Sequence, residues 1–227
     1  MAAAVIFDMD GVLVDSYDTH YQAWEAMAAD EGLDFDPKAF IALFGRTSRE
    51  VVAGLWGEGR YTDAEIAALD DRREAAYRTV IQAQFPAMPG ALELIQSLRS
   101  DGFALALGSS GPPENAALVL DLLGVRQFFK VIVTGQDVRR GKPDPEVFLI
   151  AASLLGVPPH YCAVIDDAPA GIAAANAGGM VSIGVASTGR THQSLSSAHL
   201  VVDSLNAISP MLIRRLLDDL QRVEESS

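Results

Sequence analysis

Six short apolar runs recur along the chain, and they limit the possible fold more than any other feature. Most contain almost no polar residues and several are rich in Val and Ile, as is typical of strands buried on both faces of a sheet. Helical patterns separate most of them. This alternation predicts a parallel sheet with helices on both faces, an α/β fold. The runs lie at 3–7, 103–108, 130–134, 162–165, 181–185 and, more weakly, 199–202.

The segment between the first and second runs breaks the alternation. It carries helical patterns and no convincing strand, so we predict an all-helical domain inserted after the first strand. The predicted boundaries are 1–14 and 86–227 for the sheet domain and 15–85 for the insertion. Predicted helices of the insertion lie at 16–31, 37–43, 47–56 and 62–83, and those of the sheet domain at 89–100, 113–123, 144–155, 168–177 and 206–222.

Composition narrows the function. The 227 residues are 49% hydrophobic, enough for a substantial core, and carry a formal net charge of −13. An acidic chain repels nucleic acid and anionic membranes, so neither is expected as a partner. The single cysteine, Cys162, excludes an intramolecular disulfide and reads as a buried core residue. The N-terminus has no basic segment and only a short apolar run, so we expect a cytoplasmic protein.

Polar residues follow the predicted strands where ligands bind in sheets of this kind. The carboxyl ends of parallel strands meet at one edge, and ligands lie beyond that edge. The first, second and fourth runs are followed there by acidic or hydroxyl side chains, and a lysine precedes the helix that leads to the fourth. The residues are Asp8, Asp10, Ser109, Ser110, Lys142, Asp166 and Asp167.

The three carboxylates of Asp8, Asp166 and Asp167 would repel one another unless a cation lay between them. Hard oxygen ligands suit Mg²⁺, which also binds a substrate phosphate oxygen. A carboxylate beside such a phosphate can attack phosphorus and form a covalent intermediate. Asp10 is placed to protonate the leaving oxygen and later to deprotonate water. The residues therefore predict Mg²⁺-dependent phosphoryl chemistry.

The same segments resemble the haloacid dehalogenase superfamily. The matching motifs are Asp-x-Asp-Gly-Val at 8–12, Ser109 after the second strand, Gly-Lys-Pro-Asp-Pro-Glu-Val-Phe at 141–148 and Ile-Asp-Asp-Ala-x-x-Gly-Ile at 165–172. The resemblance spans the whole chain and is greatest to the β-phosphoglucomutase-like and sugar-phosphatase branch. It implies a Rossmann-like core with a small helical cap inserted after the first strand.

The resemblance also implies a role for each matching residue. Asp8 is expected to be the nucleophile and Asp10 the general acid and base, and an Asp at the latter position implies phosphomonoester substrates. Ser109 and Lys142 are expected to hold the phosphate, with Ser110 as a further substrate contact. Mg²⁺ is expected between Asp8, the Asp10 carbonyl, Asp166 and Asp167. Ala168 stands where the family often has Ser or Thr.

Within the inserted domain, the resemblance suggests a set of substrate contacts: His20, Trp24, Arg46, Arg49 and Arg73, with Arg72 as the alternative to Arg73. Alternatives remain open for most of them. Arg49 could be a solvated charge or pair with Glu50, His20 could be a partly buried structural residue, and Trp24 could belong to the core of the insertion.

The predicted function is hydrolysis of a small phosphorylated metabolite, such as a sugar phosphate or phosphoglycolate, by a monomeric enzyme. A β-phosphoglucomutase-like mutase is the alternative. Mutases of this branch use polar residues after the Ser109 position to bind a second phosphate, whereas this chain has Gly111-Pro112-Pro113 there. A non-catalytic regulator is a further alternative, but Asp8, Asp10 and Lys142 are all retained.

Overall fold

The computed structural model describes residues 3–43 and 47–225. The chain divides into two compact units, one formed by Met1–Asp15 with Pro86–Ser227 and the other by Ser16–Phe85. We call the first unit the core and the second the cap.

The core contains a six-stranded parallel sheet with strand order β3-β2-β1-β4-β5-β6, which confirms the predicted Rossmann-like fold. From β1 the chain runs outward to β3 and then crosses back to β4, beside β1. Ligands of open sheets bind at this reversal of direction. The strands are β1 (Ala4–Phe7), β2 (Ala104–Gly108), β3 (Phe129–Val133), β4 (Cys162–Asp166), β5 (Val181–Val185) and β6 (Leu200–Val202).

Helices accompany the strands along the core sequence. One of them, Glu146–Leu155, packs against three neighbouring strands and buries Phe148 beside Ile6 and Val164. Cys162 is buried in the same cluster, as its sequence context predicted. Short 3-10 turns lie at Arg126–Phe128, Gly135–Asp137, Pro159–Tyr161 and Leu205–Ala207. The core helices are α5 (Ala91–Ser100), α6 (Pro113–Leu122), α7 (Glu146–Leu155), α8 (Pro169–Ala177) and α9 (Pro210–Glu225).

The described residues of the cap form helices and no strand, as predicted. The cap has its own core, in which Trp24 packs against Phe40 and Trp56. Capping boxes at Thr47 and Thr62 satisfy backbone N–H groups where two of its helices begin. The cap helices are α1 (Tyr17–Asp30), α2 (Pro37–Leu43), α3 (Ser48–Trp56) and α4 (Asp63–Ala83). In the described residues, no helix combines the length and apolarity needed to cross a membrane.

Candidate active site

Three buried carboxylates meet where β1 and β4 end. Asp8 follows β1 directly, and its N–H donates to the Ile165 carbonyl at 2.9 Å. Asp166 is the last residue of β4, and Asp167 comes next. One oxygen from each carboxylate lies within 4.8 Å of the others. The parallel pairing of β1 with β4 therefore brings together residues that are far apart in sequence.

Lys142 supplies a positive charge to this cluster. Its Nζ donates to Asp8 Oδ1 and to Asp166 Oδ2, both at 2.8 Å. The loop that carries Lys142 is anchored from α7, because the Glu146 carboxylate accepts hydrogen bonds from the N–H groups of Arg139 and Arg140. The side chain of Lys142 is only 8% exposed, so it acts on both carboxylates with little screening by solvent.

Burial controls the pKa values in the cluster. Burial raises the pKa of Asp8 well above its usual range, since the opposing effect of Lys142 is weaker and the charges of Asp166 and Asp10 add to the rise. Burial also raises the pKa of Asp167 to about 6. The negative charge of Asp10 makes a smaller contribution to the rise of both pKa values.

The pKa of Lys142 moves in the direction that keeps it charged. Burial alone lowers this pKa, but the negative charges of Asp166 and Asp8 outweigh burial and raise it. Asp10 is partly exposed and lies in a turn after β1, where the Gly11 N–H donates to the Val14 carbonyl at 2.8 Å.

The cluster fits a divalent cation. Three buried carboxylates and one lysine leave an excess of negative charge within a small volume. Their oxygens are the hard ligands that Mg²⁺ prefers. Asp8, Asp166 and Asp167 are the residues that would hold such an ion. The raised pKa values of Asp8 and Asp167 reflect the cost of ionising carboxyl groups that share a buried site.

Ser109 and Ser110 follow β2, the strand beside β1. The Ser109 side chain is buried, and its Oγ accepts a hydrogen bond from the Gly111 N–H at 3.1 Å. Since Oγ acts as the acceptor in that bond, its own proton can still be donated to an anion. Ser110 is exposed.

Two glycines allow close approaches in the cluster. A Cβ on Gly11, where φ is +71°, would lie 2.1 Å from Asp167 Oδ2, and one on Gly171 would lie 1.9 Å from Asp166 Oδ2. Both glycines lie in the motifs at 8–12 and 165–172, so the sequence marked these two positions even though it did not show that they make room for the carboxylates. The residues that hold the carboxylates in place thus include positions with no functional group of their own.

A loop after β5 brings side chains that the sequence analysis missed. Ser187 Oγ donates to Asp167 Oδ2 at 2.9 Å, and Arg190 Nε lies 3.5 Å from the same oxygen. Thr188 Oγ1 donates to Asp15 Oδ2 at 2.8 Å. The segment is a loop with neither periodicity nor a motif, so nothing in the sequence pointed to these contacts.

In the cap, Arg73 is buried among acidic and aromatic side chains. Burial lowers its pKa, but the charges of Glu74 and Asp70 outweigh this and raise it. Arg73 donates to Asp70 Oδ1 at 2.7 Å and also pairs with Glu74. His20 Nδ1 lies 3.4 Å from Arg73, and the Arg73 guanidinium lies 5.5 Å from the Trp24 ring centre.

The other cap candidates are placed differently. The His20 ring also stacks on Tyr77 at 4.7 Å between ring centres. Trp24 belongs to the apolar core of the cap, which is the structural alternative considered for it. Arg49 pairs with Asp63, while Glu50 forms the capping box with Thr47. Arg46 lies outside the described residues.

Comparison with known proteins defines the family. The family model of haloacid dehalogenase-like hydrolases matches residues 2–179, so the chain belongs to this family. Enzymes of the family generally use a divalent metal, in agreement with the acidic cluster. Several relatives of this chain are named as phosphatases, and the chain is accordingly an enzyme of phosphoric monoester chemistry.

Particular relatives lie in the predicted branch. β-Phosphoglucomutase of Bacillus subtilis is 36% identical over 188 residues, covering 80% of this chain and 82% of the relative. Validoxylamine A 7'-phosphate phosphatase of Streptomyces hygroscopicus is 32% identical over 216 residues, covering 92% and 96%. The crystal structure of β-phosphoglucomutase from Clostridium difficile matches with a TM-score of 0.83 at 31% identity, covering 96% and 98%. The chain is therefore a phosphatase or a phosphomutase of the β-phosphoglucomutase-like branch.

Proposed function

We propose that the chain is a Mg²⁺-dependent phosphatase that hydrolyses a small phosphomonoester through an aspartyl-phosphate on Asp8. The observation that supports this most strongly is the contact of Lys142 with both Asp8 and Asp166 at 2.8 Å. It places a fixed cation beside the proposed nucleophile, where the phosphate would lie. Asp8, Asp166 and Asp167 would hold Mg²⁺, which supplies positive charge to the phosphate oxygens.

In the first step a carboxylate oxygen of Asp8 forms a bond to phosphorus as the bond to the ester oxygen breaks. Asp10, in its protonated form, gives its proton to the departing alcohol oxygen. Water then attacks phosphorus and gives a proton to the Asp10 carboxylate, and the bond between phosphorus and Asp8 breaks. The products are the alcohol and orthophosphate, and both aspartates return to their initial states. Ser109 and Lys142 would bind the phosphate oxygens throughout.

The start of α6 favours hydrolysis over the mutase reaction. A mutase has to bind a bisphosphate at both ends, whereas Pro112 and Pro113 have no backbone N–H to offer a second phosphate where this helix begins. Glu114 adds negative charge in the first turn. The relatives include a mutase and a phosphatase, so the mutase stays the second candidate.

Phosphate release from a panel of phosphorylated metabolites tests the proposal. The panel would include β-glucose 1-phosphate, other sugar phosphates and phosphoglycolate, with Mg²⁺ present or removed by EDTA. We expect release that requires Mg²⁺ and is abolished in Asp8→Asn. Turnover by Asp8→Asn at the wild-type rate would reject Asp8 as the nucleophile.

A second assay separates the two reactions. Interconversion of β-glucose 1-phosphate and glucose 6-phosphate after priming with a bisphosphate, without net phosphate release, would establish the mutase instead. Folded protein that shows neither reaction, with or without Mg²⁺, would favour the non-catalytic alternative.

A further inference from the structure

The loop after β5 places two donors on one oxygen of Asp167. Ser187 Oγ donates to Oδ2 at 2.9 Å, and Arg190 Nε lies 3.5 Å from it. The same oxygen packs over Gly11, where a Cβ would lie 2.1 Å from it. Asp167 Oδ2 is therefore enclosed by this loop and by the turn after β1, which leaves Oδ1 as the oxygen with capacity to bind a cation.

We propose that Ser187 and Arg190 are positioning residues that set the affinity of the acidic cluster for its divalent cation, and that they act in opposite directions. This inference rests on the proposed function, because it assumes that Asp167 is a metal ligand. Ser187 is uncharged and fixes the carboxylate by a hydrogen bond. Arg190 is a cation and neutralises the carboxylate that the metal would use.

The hydrogen bond from Ser187 favours metal binding. A carboxylate ligand that is already oriented loses less freedom when the metal binds, and removal of such a partner typically weakens metal binding by about 10–100-fold. Ser187 makes this contact without adding charge, so no electrostatic effect opposes it. We therefore expect Ser187→Ala to weaken metal binding.

The guanidinium of Arg190 acts against metal binding. The side chains of Arg190 and Asp167 are only 19% and 12% exposed, so solvent ions screen their interaction poorly. A divalent cation on Asp167 would lie a few ångströms from this positive charge and be repelled by it. Arg190 thus serves as an internal substitute cation, which partly neutralises Asp167 until the metal binds.

The two roles can be tested by direct binding of Mn²⁺, without any turnover. Electron paramagnetic resonance measures the binding, and competition with Mg²⁺ checks that both ions use the same site. At about pH 8, which is above the pKa of about 6 for Asp167, we expect Arg190→Gln to bind Mn²⁺ about tenfold more tightly than the wild type. Arg190→Lys, which keeps the charge, should stay close to the wild type. Ser187→Ala should bind about tenfold more weakly, and Ser187→Thr, which keeps the hydroxyl, should recover most of that loss.

Thr188→Ala is the matched control, because Thr188 lies in the same loop but donates to Asp15 and not to Asp167. Its Mn²⁺ affinity should stay within about twofold of the wild type, since it does not touch a metal ligand. Circular dichroism spectra and melting temperatures would establish that each variant is folded.

The outcomes separate this inference from the proposed function. If the wild type binds Mn²⁺ and folded Arg190→Gln binds it equally or more weakly, the substitute-cation role of Arg190 is wrong while the metal site stands. Unchanged affinity in Ser187→Ala would likewise overturn the role of Ser187. If the wild type and every variant fail to bind Mn²⁺, the proposed metal site is wrong and the inference falls with it.

Discussion

Replacing Lys142 by Met, an apolar side chain of similar length, tests whether the lysine stabilises the buried carboxylates of Asp8 and Asp166. The change leaves Asp8 and Asp166 buried side by side without their shared cation. Each contact of Lys142 at 2.8 Å represents on the order of 6 kcal/mol of gross attraction at an effective dielectric constant of about 20. Most of that gross energy offsets the desolvation of the three charges, so the net loss is smaller.

Removing one partner from a buried ion pair typically costs about 3–5 kcal/mol, and we expect a loss of about 4 kcal/mol in the free energy of unfolding at pH 8. The loss should depend on pH. Lys142 lowers the pKa of Asp8, so without it this pKa lies even further above its unfolded value, and the folded variant binds a proton at a higher pH than the wild type does. The deficit should therefore shrink by about 1.4 kcal/mol for each pH unit between the folded pKa of the variant and the lower folded pKa of the wild type.

Urea unfolding followed by far-UV circular dichroism at about pH 8 and pH 5 measures this effect. Tryptophan fluorescence reports separately on the cap, since Trp24 and Trp56 both lie there. Lys130→Met is the matched control, because Lys130 is an exposed lysine of the core. A variant as stable as the wild type, or one with the same deficit at both pH values, would refute the assignment of Lys142 as the counter-charge of these carboxylates.

Two further predictions follow from contacts within the core. Gly171→Ala should displace Asp166, whose carboxylate lies 1.9 Å from the new Cβ position, and should weaken Mn²⁺ binding by more than about tenfold. Gly178→Ala is the control, because the nearest contact of its new Cβ is at 3.4 Å. Equal Mn²⁺ binding by the two variants would contradict the prediction. Burial lowers the pKa of His199, and its Nδ1 accepts a hydrogen bond from the Ser182 N–H at 3.1 Å, so protonation favours the unfolded state. Between about pH 7 and pH 5 the wild type should thus lose more thermal stability than His199→Asn, and parallel melting curves for the two proteins would reject this reasoning.

The sequence predicted the strands of the core well because most are almost entirely apolar, as is typical of strands in a parallel sheet. Helix ends were less well predicted, and the errors have local causes. The helix expected to begin at 89 begins at 91, because Gly90 has a φ of +86° and cannot be helical. The helix expected from 206 begins at 210, because a 3-10 turn at Leu205–Ala207 precedes Pro210. Periodicity alone does not separate such turns from the helix that follows.

At the candidate active site, the sequence predicted those residues that lie within recognisable motifs. Asp8 and Lys142 are separated by 134 residues, yet each lies in a motif that the sheet topology brings to the same edge. Ser187 and Arg190 lie only 20 and 23 residues from Asp167, but no pattern marks them. Loop conformation decides such contacts, and it depends on tertiary packing that the sequence does not display.

The charges of the site explain how a chain with a net charge of −13 can bind an anion. When ionised, Asp8, Asp166 and Asp167 contribute three negative charges, while Lys142 and Arg190 contribute two positive charges within contact distance of them. The five side chains together therefore carry one negative charge, which repels phosphate. In the proposed mechanism a divalent cation would reverse the sign to one positive charge, so the cluster would attract a phosphate ester only after the metal had bound. In this arrangement Arg190 lowers the repulsion among the carboxylates before the metal arrives, and Lys142 stays beside Asp8, where the phosphate would lie.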